Sequence, residues 1–458
     1  MIKDFFTANK KPILIFAIVF FVELLVILIL IQINGIGIFF RGDGRDYQNL
    51  ANNLIYHQTF AITPNPPYLP TSFRTPIYPF WLAFIYIIFK SYNVAIFIGA
   101  AVFAISAPLV YLIGREIFTE KIAMIAAFLS GLEPWALFQS GFLAAEQIFM
   151  PIFLLSVYLF FRYLKSGAVL SLCFSSLILG IAVLTRPVTL FFVVIFMFLA
   201  FIFELKHSIW RSFKTSALIF LVFVAVLTPW LIRNKIVLHS WQFSSASGIR
   251  IFGDYVMLEK YLGKIRPDET VDIYENARKL LNIKSDWDTM SVENSSKMSQ
   301  VALEEIKSNF SSFLKMYFQD ILLFFFKNSY GNIFFDFGVS NSNIQSKIVN
   351  DFKQTKSFST VSLIKESSFG AKILLSLVLF WPVITSIAIF GAFKIFIKRR
   401  KDPLLWFLIL WILYFSVLTA TARDLSRYRL AVHMPLFILA VYGFYKVKDF
   451  FFKTQWQV

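Results

Sequence analysis

Four acids and a set of arginines stand where an otherwise apolar chain has little reason to keep them. Asp43 and Asp46 fall in Arg41-Gly42-Asp43-Gly44-Arg45-Asp46-Tyr47, with a glycine on each side of Asp43. A carboxylate there can orient a hydroxyl and take its proton; solvation and capping of a following helix account for Asp46 equally well. Arg74 lies in Thr71-Ser72-Phe73-Arg74-Thr75-Pro76-Ile77-Tyr78-Pro79, where two prolines fix the exit of the chain. Its planar fork of donors suits a phosphate, and an arginine snorkelling at headgroup level has the same address. Glu146 sits inside apolar sequence, where a carboxylate needs a partner or a cavity; Glu133 is closer to a turn. Leu184-Thr185-Arg186-Pro187 and Thr228-Pro229-Trp230-Leu231-Ile232-Arg233-Asn234 each close an apolar run on an arginine. Arg423-Asp424-Leu425-Ser426-Arg427-Tyr428-Arg429 gathers three more in one turn, which calls for an anionic partner, either nearby acids or a phosphate-bearing lipid. His57, His207, His239 and His433 have no zinc spacing, and the single cysteine, Cys173, excludes an intrachain disulfide. There is no P-loop, dinucleotide fingerprint or Ser-His-Asp signature.

The elements that position these residues are membrane helices. Of 458 residues, 58% are apolar, 19% aromatic and only 16% charged, with a mean hydropathy of +0.68. Soluble proteins carry roughly 25% charged residues, so a cytosolic enzyme is excluded. The 57 phenylalanines favour helices apolar on every side over the alternation of a membrane barrel. Apolar runs at 12–31, 92–113, 122–139, 142–161, 168–185, 188–204, 216–232, 371–393, 403–420 and 430–446 predict an all-α polytopic protein. That is about ten crossings, within a range of roughly nine to twelve. Two shorter stretches, 77–89 and 312–327, read as surface helices. From Tyr47 onward, Tyr47, Leu50, Ala51 and Leu54 recur at helical spacing, which predicts an amphipathic helix with Asp43 in the turn before it.

Charge sets the orientation. The formal net charge of +17 would suit nucleic acid on a soluble surface, but many of the basic residues cap apolar runs. Lys3, Lys10, Lys11, Arg115, Lys121, Arg162, Lys165, Lys206, Arg211, Lys214, Lys398, Arg399, Arg400, Lys401 and Lys448 fall in alternate loops, as a positive-inside arrangement requires. The loop 32–91, the turns at Arg186 and Arg427, and a long segment after Arg233 then face outward. The organisation expected is a catalytic membrane module over 1–233, an extracytoplasmic region over 234–370 and C-terminal helices over 371–458.

In this order the landmarks resemble a known family. Gly42-Asp43 with Tyr47 and Ala51, Arg74-Thr75-Pro76 with Tyr78-Pro79, Gly114-Arg115, Glu146, Thr185-Arg186-Pro187, Pro229-Trp230 with Arg233-Asn234, and Arg427-Tyr428-Arg429 before Pro435 are similar to the bacterial GT-C glycosyltransferases. These are grouped with protein O-mannosyltransferases and aminoarabinose lipid A transferases. The resemblance implies a GT-C fold, residence in a bacterial inner membrane, and transfer of a sugar from a polyprenyl-phosphate carrier at the extracytoplasmic face, usually with inversion. It implies Asp43 as the catalytic carboxylate of the first outer loop, placed at the acceptor and reaction centre, with Asp46 as helper. Arg186, Arg233, Arg427 and Arg429 would bind the donor phosphate, and Arg74, Tyr78, Glu146 and Tyr428 the substrate. The expected partners are that donor, a glycan, lipid or protein acceptor, and the bilayer, with no nucleic acid. Some relatives bind a divalent metal, but no metal-binding histidine is matched here, so a cofactor is left open. A lipid-linked saccharide polymerase or ligase is the nearest alternative. A transporter or flippase would instead place polar residues at mid-membrane or show inverted halves.

Overall fold

The computed structural model describes residues 10–266, 272–327, 379–400, 402–421 and 425–452, with Tyr330, Ile333, Asp336 and Phe337. Among them there is no sheet, only an isolated bridge between Ala61 and Pro70. In chain order the helices are α1 Lys10–Asn34, α2 Asp43–His57, α3 Ile77–Phe89, α4 Asn93–Ala104, α5 Ser106–Ile117, α6 Glu120–Gly131 and α7 Pro134–Gln139. Next come α8 Glu146–Ser166, α9 Val169–Thr185, α10 Phe192–Leu205, α11 Ile209–Leu238, α12 Ala246–Tyr261 and α13 Ile273–Leu281. The rest are α14 Asp286–Thr289, α15 Val292–Ser308, α16 Phe310–Phe326, α17 Phe380–Arg399, α18 Pro403–Thr419 and α19 Leu425–Phe452.

This is a multi-pass membrane protein. Seven described stretches are long and apolar enough to cross a membrane: Lys10–Asn34, Asn93–Ile117, Glu146–Ser166, Pro187–Leu205, Ile209–Leu238, Phe380–Arg399 and Arg427–Asp449. The expected count of about ten is therefore corrected to seven of full length. Two of the remaining expected crossings are α9 and α18, apolar helices of 17 residues. The third, 122–139, breaks into α6 of 12 residues and α7 of 6. Glu133 accepts a hydrogen bond from the Ala136 backbone N–H at 2.9 Å, and Pro134 sits in the first turn of α7, so a new helix N-terminus is built inside the apolar run. The stretches 77–89 and 312–327 form α3 and α16. Residues 371–378 of the expected 371–393 crossing, and Lys3, Lys401, Arg423 and Asp424, lie outside the described residues.

The chain divides into two compact units. One comprises Met1–Phe39, Ile96–Phe142 and Leu322–Val458, the other Phe40–Ala95 and Leu143–Ile321. In the first, α17 and α19 meet at glycines: a Cβ on Gly391 would lie 2.2 Å from the Leu439 carbonyl oxygen, and one on Gly443 2.3 Å from that of Ile387. Backbones touch there as at other small-residue seams between membrane helices.

In the second unit, α2 buries Tyr47, Leu50 and Ala51 and exposes Arg45. It starts earlier than the sequence reading had it, which placed Asp43 in the preceding turn: Asp43 is its first residue, and the turn ends on Gly42, whose φ of +58° favours glycine. Asn53 on α2 donates to the carbonyls of Ala61 (2.7 Å) and Thr63 (2.9 Å), folding the following loop back along the helix. Further on, α12, α13 and α15 share a small core of Phe252, Val256, Ala277 and Met298.

Candidate functional site

In the second unit α2 and the loop before α3 bring three charged side chains together. Arg74 Nη2 lies 2.5 Å from Asp43 Oδ1 and 2.6 Å from Asp46 Oδ2, and its Nε is 3.3 Å from the same Asp46 oxygen. Two carboxylates separated by three positions share one helical face, and the guanidinium fork spans both. The guanidinium also lies 5.3 Å from the Tyr47 ring centroid and 5.0 Å from that of Phe73. About a fifth of each charged side chain is exposed: 19% for Arg74, 23% for Asp43 and 16% for Asp46. Burial pushes the Asp46 carboxyl up from its ordinary range against the opposing pull of Arg74.

A second pair lies in the same unit. Glu146, the first residue of α8 and 1% exposed on its side chain, is ion-paired with Arg186 at the C-terminal end of α9. Two hydrogen bonds tie the pairs together. The Thr75 hydroxyl, next to Arg74, donates to the carbonyl of Thr185, next to Arg186, at 2.9 Å. The Tyr78 hydroxyl donates at 2.7 Å to Oε1 of Gln147, next to Glu146, while its ring packs edge-on to Tyr47 with centroids 4.6 Å apart. Arg74, Arg186 and Glu146 are each thus braced through a chain neighbour.

Arg233, near the end of α11, is half-buried. It donates to the Thr71 carbonyl at 2.8 Å and lies over the rings of Phe60 and Trp230. It is the charged member of the lining of an apolar cavity of about 600 Å³ between Leu54, Phe60, Phe80, Leu184 and Trp230. That volume is within the range of ligand sites.

Arg427, Tyr428 and Arg429 belong to the other unit. Arg429 is completely buried: it donates to the Lys327 carbonyl and stacks 4.2 Å from the Trp381 ring centroid. Beside it, Tyr330 donates to Glu133 and accepts from Trp381 Nε1 at 2.9 Å, while His433 Nδ1 lies 3.8 Å from Glu133. Arg427 and Tyr428 are half-buried. Sequence reasoning missed Gln147 and Trp381 altogether and named Thr75 only within a motif; neutral residues next to or far from the charged ones carry no local signal. Among the described residues no three His, Cys, Asp or Glu side chains group as a metal site. The Asp43 and Asp46 oxygens that meet Arg74 are engaged by a cation already.

What stands out is a polytopic helical membrane protein that keeps two tied arginine–carboxylate pairs beside an apolar, arginine-edged cavity. Residues 73–232 match the model of the family described as dolichyl-phosphate-mannose-protein mannosyltransferase. The chain is similar to that family over this stretch, about a third of its length. The matched stretch holds Arg74, Glu146 and Arg186; Asp43, Asp46 and Arg233 fall outside it. Two solved structures of an archaeal oligosaccharyltransferase from Archaeoglobus fulgidus are similar at 14% identity. One, AglB in complex with an inhibitory peptide and a dolichol-phosphate, is covered over 51% of its length by 94% of this chain, with a TM-score of 0.49. The other, the apo form, is covered over 50% by 93% of this chain, with a TM-score of 0.48. The chain thus spans about half the length of either. No curated protein matches by sequence.

Proposed function

We propose that this chain is an inverting glycosyltransferase that moves a monosaccharide from a polyprenyl-phosphate carrier to a lipid, glycan or protein acceptor at the extracytoplasmic face of a bacterial inner membrane. The observation that carries the reading is the Asp43–Arg74–Asp46 cluster tied to Arg186–Glu146. It joins a hydroxyl-directed acid to fixed cations within one unit. The cavity supports a lipid-borne substrate, since it is apolar and has one cation, Arg233, in its lining. The family description, which names a mannose carried on dolichyl phosphate, supports the donor class.

In this reading the acceptor oxygen attacks the anomeric carbon while the carbon–oxygen bond to phosphate breaks. The proton passes to Asp43, and the bonding electrons leave on the phosphate oxygen, where arginine donors stabilise them. Arg186 and Arg233 serve there from this unit. Asp46 holds the Arg74 fork in place beside Asp43. Tyr78 and Glu146 keep the site's geometry. A single displacement inverts the anomeric centre.

The test is turnover of polyprenyl-phosphate mannose, and of the same carrier with other sugars, by purified protein in nanodiscs. Asp43→Asn keeps the shape and removes the basicity, so transfer should fall about 10² to 10⁴-fold with donor binding retained. Asp46→Asn should cost less. Near-normal turnover in Asp43→Asn eliminates it as the base, and a retained anomeric configuration eliminates single displacement.

A further inference from the structure

The helical segment α12–α15 is pinned to the loop that carries Arg74. Ser244, just ahead of α12, donates from its hydroxyl to the Phe73 carbonyl at 2.9 Å, and the Ser245 backbone N–H reaches the Ser72 carbonyl at 3.3 Å. The Ser245 hydroxyl continues to the Met290 carbonyl at 2.5 Å, so the contact runs from the Arg74 loop into the turn before α15. Inside the segment, α13 is held by the core of Phe252, Val256, Ala277 and Met298, which Ile273 flanks. Its N-terminus is fixed by Asp272, whose carboxylate accepts from the backbone N–H groups of Tyr274 at 2.8 Å and Glu275 at 3.3 Å. The first turn of α13, which carries Tyr274, is therefore held by the Asp272 cap and by this core.

We propose that α12–α15 is a working part of the carboxylate site. In this proposal it delivers Tyr274 beside Asp43, Asp46 and Arg74 to bind a hydroxyl of a sugar, as a substrate-specificity residue. The proposal rests on the transferase reading above and deepens it. The phenol is within electrostatic reach of all three charged groups, and burial, opposed by Arg74 and reinforced by Asp46 and Asp43, pushes it up to about 12. It is thus neutral at physiological pH and available as a donor next to acceptors. Among the described residues its hydroxyl makes no hydrogen bond, while its backbone N–H is committed to the cap. A half-buried hydroxyl without a structural task, next to two carboxylates, is suited to a polyhydroxyl ligand: acids accept from some hydroxyls, the phenol donates to another, and the ring covers an apolar sugar face.

The hydroxyl can belong to the donor's sugar or to a saccharide acceptor, and two arms separate these sources. Full-length protein in nanodiscs is titrated with undecaprenyl-phosphate mannose and with undecaprenyl phosphate alone. In parallel, methyl α-mannoside binding is read by saturation-transfer NMR. Tyr274→Phe removes one oxygen and no internal bond, so its unfolding temperature should match wild type. If the donor sugar is the ligand, Tyr274→Phe binds the mannosyl lipid about fivefold to tenfold more weakly and the bare carrier as wild type does. If the acceptor is the ligand, the methyl mannoside signal weakens while both lipids are unaffected. Unchanged binding of all three probes overturns the Tyr274 assignment and leaves the transferase reading standing. A wild-type protein that does not distinguish mannosyl lipid from bare carrier and gives no methyl mannoside signal overturns both.

Discussion

Replacing Arg74 by Gln removes the one cation seen to bridge Asp43 and Asp46 while keeping a side chain of similar reach. Three contacts disappear, at 2.5, 2.6 and 3.3 Å. Hydrogen bonds to charged groups contribute roughly 1.5–3 kcal/mol each, and breaking a fully buried pair costs about 3–5 kcal/mol. The three side chains are 16–23% exposed, so solvent screening lowers the expected loss to about 2–3 kcal/mol. The larger effect is on protonation. Burial already raises the Asp46 carboxyl against the pull of Arg74; without that pull, two like charges on one helical face favour sharing a proton. A carboxyl raised on folding binds its proton more tightly in the native state, so stability falls as pH rises from about 4 through the raised native value. That fall should be steeper in Arg74→Gln than in wild type. The acid limb of the pH–rate profile should move to higher pH, and turnover near neutrality should drop at least tenfold. The assays are denaturant unfolding from pH 4 to 8 and transfer rates across the same range. An acid limb and a stability slope that both match wild type would refute the reasoning, because they would mean that Arg74 does not control the ionisation of the pair.

Further outcomes are expected. Glu146→Ala leaves Arg186 beside an apolar void and should cost about 3–5 kcal/mol of stability, with Glu146→Gln costing less; unfolding of the two variants in the same detergent checks the order. Leu54→Trp narrows the cavity edged by Arg233 and should weaken binding of a long polyprenyl phosphate while sparing a short-chain analogue. Equal losses for both chain lengths would count against a lipid channel. Impermeant thiol reagents applied from outside should label cysteines introduced at Asp43 or Ser296 and spare one at Arg399, on a background with Cys173 replaced. The reverse pattern would invert the assigned orientation.

The sequence carried the helices well, because a crossing needs little more than length and apolarity, and α1, α8 and α11 supply both. It failed at 122–139 for a physical reason. Window hydropathy ignores Gly131-Leu132-Glu133-Pro134, a stop and a fresh cap written in plain view. The charged residues of the site were also legible, since an arginine at the end of an apolar run is conspicuous at Arg186 and Arg233. Their partners were not. Arg74 finds Asp43 and Asp46 at separations of 31 and 28 residues, and Tyr330 finds Glu133 at 197, distances at which no periodicity applies. Thr75 and Gln147, which tie the two ion pairs, are ordinary polar residues whose importance exists only once the chain has folded.

The glycine seam between α17 and α19 bears on how the protein is made. Helix α19 packs more extensively on α17 than on α18, the helix synthesised immediately before it. In lipid there is no hydrophobic force to join helices, so close backbone approach and dispersion must hold this pair. The seam cannot form until residue 443 has been translated and inserted, and until then Gly391 faces lipid with nothing to grip. Helix α19 thus completes this seam during biosynthesis. A chain interrupted before it would leave α17 in the membrane without the helix it packs on most extensively.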